Sequence, residues 1–258
     1  MGYFLPFLFA FLVPIASASD LLGTRCFDTG KNYSASILDV ERMLLFQIAQ
    51  HGGYSAATSG SGSSAVYGLL QCRGDVSLND CIQCGKDAAN LLRTQCSNQA
   101  DARVWYDFCF LRYDTENFFG KSDSGAVILY WNVNTVTDTA MFERKLKGVM
   151  DSVRGQALKP NSGGLGRDKV KLSPFNELYG LAQCTGDLPT AQCASCLADA
   201  YTYFQDNGSS CKDQQGCRVL SNGCYVRYEI YPFYFPLYSS PKPTPVSHAY
   251  LSGRKKLH

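Results

Sequence analysis

The chain repeats its own cysteine spacing. The triplet C-x8-C-x2-C occurs at Cys72, Cys81 and Cys84, and returns 112 residues later at Cys184, Cys193 and Cys196. Cys96 and Cys109 return 115 residues later as Cys211 and Cys224, so the second copy carries a three-residue insertion between Cys196 and Cys211. The flanks repeat as well: YGLLQCRGD at 67–75 matches YGLAQCTGD at 179–187, and ARVWYDFCFLRYD at 102–114 matches CRVLSNGCYVRYE at 217–229. Self-similarity at a fixed period marks a duplicated structural unit. In a chain of 258 residues, two domains of roughly 110 residues each match the usual domain size. We place them at residues 19–122 and 123–238.

Periodicity agrees between the copies. Cys81, Cys84, Ala88, Leu91 and Leu92 lie on one helical stripe, and their counterparts Cys193, Cys196, Ala200, Tyr203 and Phe204 are also apolar. Ser77 suits the N-cap of the first of these helices. Pro189 replaces it in the second, at a helix start that tolerates proline. An earlier helix in each copy follows from Leu38, Leu44, Leu45 and Ile48, and from Phe142, Leu146, Val149, Met150 and Val153.

The copies end in strands. Cys224, Val226, Tyr228 and Ile230 alternate with Tyr225, Arg227 and Glu229 on the other face. Asn222-Gly223 signals a two-residue hairpin, which sets Ser221 opposite Cys224 and Arg218 opposite Arg227. Arg218 and Glu229 become diagonal neighbours on the outer face. The same register sets Arg103 beside Asp114 in copy one, where Asp107-Phe108 is a poorer turn. The fold class expected is α+β: two tandem disulfide-stapled domains, each with two helices packed on an antiparallel sheet of about five strands.

Residues 1–18 read as a signal peptide: Tyr3 to Ile15 is uncharged and apolar, and Ala16-Ser17-Ala18 supplies the small residues of a cleavage site. Cleavage there leaves all 12 Cys in the mature chain, which suggests an oxidising compartment and an extracellular (apoplastic) location. No later segment reads as a membrane span. YPFYFPLY at 231–238 is short and holds two prolines, better suited to a seam between domains, and 239–258 reads as a flexible Pro-rich tail. Net charge is only +2 and basic residues are dispersed, which argues against nucleic acid as a partner. Asn32-Tyr33-Ser34 and Asn207-Gly208-Ser209 are glycosylation sequons at Asn32 and Asn207.

Cys81-x2-Cys84 and Cys193-x2-Cys196 can be read as redox pairs or half zinc sites. A structural framework suits them better: each belongs to a set of six, and His51, His248 and His258 lie outside the repeated motif, so no metal site is expected. Six cysteines permit 15 pairings, and spacing does not choose among them. Here the residues carry a resemblance. Cys72 to Cys109, preceded by Tyr-Gly-Leu-x-Gln-Cys and closed by Cys-x-x-Arg-Tyr, resembles the plant ginkbilobin-like, salt-stress-response/antifungal domain. Two copies behind a leader, without kinase or span, resemble the plant cysteine-rich repeat secretory proteins. The resemblance implies Cys26–Cys96, Cys72–Cys81 and Cys84–Cys109, then Cys184–Cys193 and Cys196–Cys224. In copy two Trp131 takes the place of Cys26, so Cys211 is expected to pair with the extra Cys217.

The resemblance also implies a mannose-type glycan site: Asn132, Arg218 and Glu229 in copy two. Copy one keeps Arg103 but has Asp114 for Glu and Phe27 for Asn. A carboxylate accepts, a guanidinium donates and an amide does both, which suits a sugar's adjacent hydroxyls. The competing reading is a cross-strand salt bridge on a solvated face. No Gly-x-Ser-x-Gly, His-Glu-x-x-His, P-loop or kinase signature set is present, so an enzyme is not expected, nor a cofactor. The family resemblance implies a role in stress or antifungal defence. The alternative is a protein-interaction module, a soluble receptor-like ectodomain with a cell-surface receptor or cell-wall partner.

Overall fold

The computed structural model describes residues 19–27, 30–96, 99–123, 125 and 127–237. The expected leader and the tail at 239–258 lie outside the described residues. Copy one runs β1 (Leu21–Phe27), α1 (Ser34–His51), β2 (Tyr54–Ser59), β3 (Val66–Cys72), α2 (Leu78–Gln95), β4 (Asp101–Tyr106) and β5 (Cys109–Asp114). Copy two runs β6 (Ile128–Trp131), α3 (Thr139–Ala157), β7 (Leu165–Lys171), β8 (Glu177–Cys184), α4 (Thr190–Gln205), β9 (Gly216–Leu220) and β10 (Cys224–Glu229). The strands form two five-stranded antiparallel sheets, ordered β1-β4-β5-β3-β2 and β6-β9-β10-β8-β7.

Local chemistry explains the helices. The Ser77 hydroxyl caps α2 by accepting from the Asp80 N–H at 3.1 Å. Cys81, Cys84, Ala88 and Leu92 then point inward. Pro189 precedes α4 without a side-chain cap, and Cys193, Cys196, Ala200 and Phe204 repeat the stripe. In α1 the buried stripe is Ile37, Val40, Leu44 and Ile48, whereas Leu38 is exposed. The expected stripe was thus one position off at its start, because helical spacing back from Ile48 and Leu44 lands on Val40 and Ile37. A tight helix–sheet approach depends on the repeated Tyr-Gly-Leu. A Cβ at Gly68 would lie 2.2 Å from Val40, and one at Gly180 would lie 2.4 Å from Val149. The glycine at this position lets α1 and α3 lie directly on their sheets.

Six disulfides staple these layers: Cys26–Cys96, Cys72–Cys81, Cys84–Cys109, Cys184–Cys193, Cys196–Cys224 and Cys211–Cys217. They leave no free thiol among the cysteines. Register explains the exchange in copy two. Cys26 lies opposite Ala102 in sheet one, and Trp131 lies opposite Cys217 in sheet two. The cysteine has in effect crossed from the edge strand to its neighbour, where it reaches Cys211.

Arg227 pairs with Arg218, and Arg112 with Arg103, as the hairpin register requires. The turn type differs from the expectation. Neither Asn222 nor Gly223 takes a positive φ, so this is not a primed turn. Ser221 instead ties the hairpin, donating its N–H to the Cys224 carbonyl at 3.0 Å and accepting the Cys224 N–H on its hydroxyl at 3.1 Å.

The outer faces of the two sheets are covered over much of their area. They pack on each other through Leu69, Trp105, Phe110 and Phe118 of copy one and Leu220 of copy two. Two glutamines at equivalent positions cross the seam reciprocally. Gln71 accepts from the Gly186 N–H at 2.8 Å and Gln183 accepts from the Gly74 N–H at 2.8 Å. Trp105 donates its indole N–H to the Ser221 carbonyl at 3.1 Å. Residues 231–237 strap the seam: the Tyr234 hydroxyl donates to the Asp168 carbonyl at 3.2 Å, and the Phe235 N–H donates to Asp75 at 2.7 Å.

Candidate functional site

In copy one Arg103 and Asp114 sit side by side, but they are buried, not on a solvated face. Arg103 pairs with Asp101 at 2.7 Å and reaches Asp114 at 3.5 Å. Arg112 holds Asp114 at 2.8 Å and Asp123 at 3.2 Å. Phe27 covers Arg103 with its ring centroid 5.0 Å away, and Phe118 covers Arg112 at 4.0 Å. Burial, with Asp114 beside it, raises the Asp101 carboxyl above its usual value. Asp101, Asp114 and Asp123 are thus already engaged by Arg103 and Arg112.

Copy two is open at the equivalent place. Asn132, Arg218 and Glu229 line one solvent-connected pocket of about 320 Å³ with Asp20, Leu22, Tyr130, Trp131, Arg227 and Tyr231. Two exchanges make the space: Asn132 replaces Phe27, and Gly216 stands where copy one has Asp101; a third, Glu229 for Asp114, lengthens the carboxylate by one methylene. The Glu229 carboxylate fills the room left by Gly216, where an added Cβ would lie 1.8 Å from Oε2. Its Oε1 accepts from Arg227 Nε at 3.0 Å, while its buried Oε2 has no hydrogen-bond partner. Burial disfavours the Arg227 charge, but Tyr225, Glu229 and Asp107 outweigh it and its pKa is raised.

The pocket wall is aromatic and anchored. The Tyr130 hydroxyl donates to the Leu22 carbonyl across the seam, and Arg227 donates to the Tyr231 hydroxyl at 3.3 Å. Both rings remain half exposed. Asn132 is half-buried; its backbone N–H donates to the Gly216 carbonyl at 2.8 Å and its Oδ1 accepts from the Asn134 N–H at 2.9 Å. The side-chain amide of Asn132 is thereby aimed by an Asx turn.

Sequence reasoning missed the residues that copy one contributes. Asp20 and Leu22 reach the copy-two pocket, and Asp107 stands behind its arginines, 3.0 Å from Arg218 and 3.6 Å from Arg227. Asp107 had a signal. It is a weak turn residue at a hairpin tip, and a residue poor for its local role is a candidate for a tertiary one. The sequons lie on the surface: Asn32 precedes α1 and Asn207 follows α4, both exposed. Among the described residues no cluster of His, Cys, Asp or Glu is arranged to hold a metal ion.

The family profile described as Salt stress response/antifungal matches residues 23–116 and 131–231. The chain belongs to this family. It is 45% identical over 240 residues to Cysteine-rich repeat secretory protein 55 of Arabidopsis thaliana, covering 90% of each chain. It is 36% identical to the Antimicrobial ginkbilobin-2-like protein of Castanea crenata, over 70% of this chain and 73% of that one. The tandem DUF26 ectodomain of the Arabidopsis thaliana cysteine-rich receptor-like protein PDLP8 superposes with a TM-score of 0.70 at 22% identity, covering 83% of this chain and all of that one. The fold of this chain is thus shared with that tandem ectodomain.

Proposed function

We propose that this secreted member of the family binds hydroxyl-rich glycans of the mannose type in the copy-two pocket, in stress or antifungal defence. One observation carries the reading: Asn132, Arg218 and Glu229 share a pocket with two half-exposed, anchored tyrosines. A sugar ring offers a hydroxylated edge and an apolar face. Arg218 and Asn132 suit the edge as donors, the Glu229 carboxylate suits it as an acceptor, and Tyr130 and Tyr231 suit the apolar face. The names of the relatives, secretory and antimicrobial, support the location and the defence role. Copy one is the structural partner in this reading, since its own arginines and rings occupy the equivalent space.

The test is retention on a mannan column, with Arg218→Ala and Glu229→Ala each expected to elute early. Full retention of both variants would remove the site from consideration. A second reading is a soluble protein-interaction module, favoured by the fold shared with a receptor-like ectodomain. It predicts no glycan retention and specific capture of a cell-surface ectodomain.

A further inference from the structure

The pocket contains two arginines, yet neither is free to meet an anion. Arg227 is engaged by Glu229 at 3.0 Å within copy two. Arg218 is engaged by Asp107 at 3.0 Å, and Asp107 belongs to copy one. Asp107 is itself held from behind. Its backbone N–H donates to the Asp20 carbonyl at 2.9 Å, and its Oδ2 pairs with Arg73 at 3.2 Å, leaving Oδ1 toward Arg218. Arg73 is in turn paired with Asp75 at 2.6 Å. At the rim, Asp20 adds an exposed carboxylate that makes no ion pair among the described residues.

We propose that Asp107 of copy one is a specificity-determining residue for the copy-two pocket: by neutralising Arg218 from behind, it makes the pocket select uncharged sugars and reject uronic acids. The inference rests on the glycan reading above. A uronate carboxylate entering this pocket meets Asp20 and Glu229, and finds no unpaired guanidinium to repay its lost hydration. A neutral hexose keeps its hydroxyl contacts and brings no charge. The tandem arrangement is then part of the site, because the residue that sets its charge lies on the other sheet.

The probes are an uncharged mannan oligosaccharide and an oligogalacturonate, titrated against the full chain. Wild type should bind the mannan probe undisturbed by the oligogalacturonate. Asp107→Asn should raise the ratio of oligogalacturonate to mannan affinity by at least about tenfold, the effect of roughly one charge pair gained. That gain should vanish in about 0.5 M NaCl and on adding Arg218→Gln. An unchanged ratio, or displacement of mannan by oligogalacturonate from wild type, overturns the proposal. The wild-type competition decides even if the Asn variant does not fold. Mannan binding with an unmoved ratio leaves the glycan reading standing and sinks this one. No mannan binding by wild type sinks the glycan reading and this one with it.

Discussion

Glu41 should make copy one less stable as pH rises, and Glu41→Gln should abolish that slope. Glu41 sits on the inward side of α1 and is only 2% exposed. Burial pushes its carboxyl up from 4.5 to about 7, against the pull of Arg93, whose guanidinium lies 2.7 Å away and is itself partly exposed. The sign follows from proton counting. Between pH 4.5 and about 7 the folded chain keeps a proton that the unfolded chain has released. Stability from this group is therefore fully present below pH 4.5 and is lost as pH rises through about 7. At about 1.4 kcal/mol per pH unit, the loss amounts to about 3 kcal/mol as an upper figure. Gln has the same shape, keeps an acceptor for Arg93 and does not titrate. Urea unfolding with disulfides intact, run from about pH 4 to pH 8 on both proteins, reads the difference. The variant should gain on wild type by up to about 3 kcal/mol across that range. A difference that stays flat, or that favours wild type at high pH, would refute the reasoning and show that the Arg93 ion pair outweighs burial.

Other outcomes can be checked alongside. Gly216→Ala should drive the Glu229 carboxylate off its seat, cost about 1–3 kcal/mol by overpacking, and abolish mannan retention; unchanged retention and melting temperature would contradict the packing described. Replacing Cys211 and Cys217 by Ser should cost about 2 kcal/mol, against about 4 for Cys26 and Cys96, because the loops span 6 and 70 residues; equal losses in urea would show that loop length is not what matters. Ser77→Ala should lower stability by about 1 kcal/mol through loss of the α2 cap, seen as a lower urea midpoint with no change in glycan retention.

Much of the fold was legible because its signals are local or repeated. The second helix of each copy follows from one apolar stripe, and the Ser77 cap from one hydroxyl at a helix start. The pairing of Arg218 with Arg227 follows from hairpin length alone, since counting outward from a two-residue turn leaves no freedom. The exchange of Cys26 for Trp131 was visible by comparing copies, and the register shows its reason: Cys217 takes the place opposite. Leu38 misled because several leucines surround the true stripe, and periodicity blurs where apolar residues are dense.

The candidate site divides along another line. Arg218 and Glu229 share one sheet and one face, so strand register was enough to bring them together, whereas Asn132, just past the end of β6, was placed only by the family resemblance. The burial of that face was a tertiary matter. Each sheet alone would show Arg103, Arg112, Arg218 and Arg227 to water, as alternation implies. In copy one Phe27 and Phe118 cover the arginines and Asp101 and Asp114 pair with them, whereas in copy two the apposed sheet supplies the carboxylate for Arg218. That carboxylate is Asp107, 111 residues from Arg218 along the chain. The repeat and the strand registers are nearest-neighbour physics and can be read from residue order, whereas the staples, which join residues up to 70 apart, followed only from the family resemblance. The charge of the pocket depends on which surfaces meet, and that is settled by packing between copies.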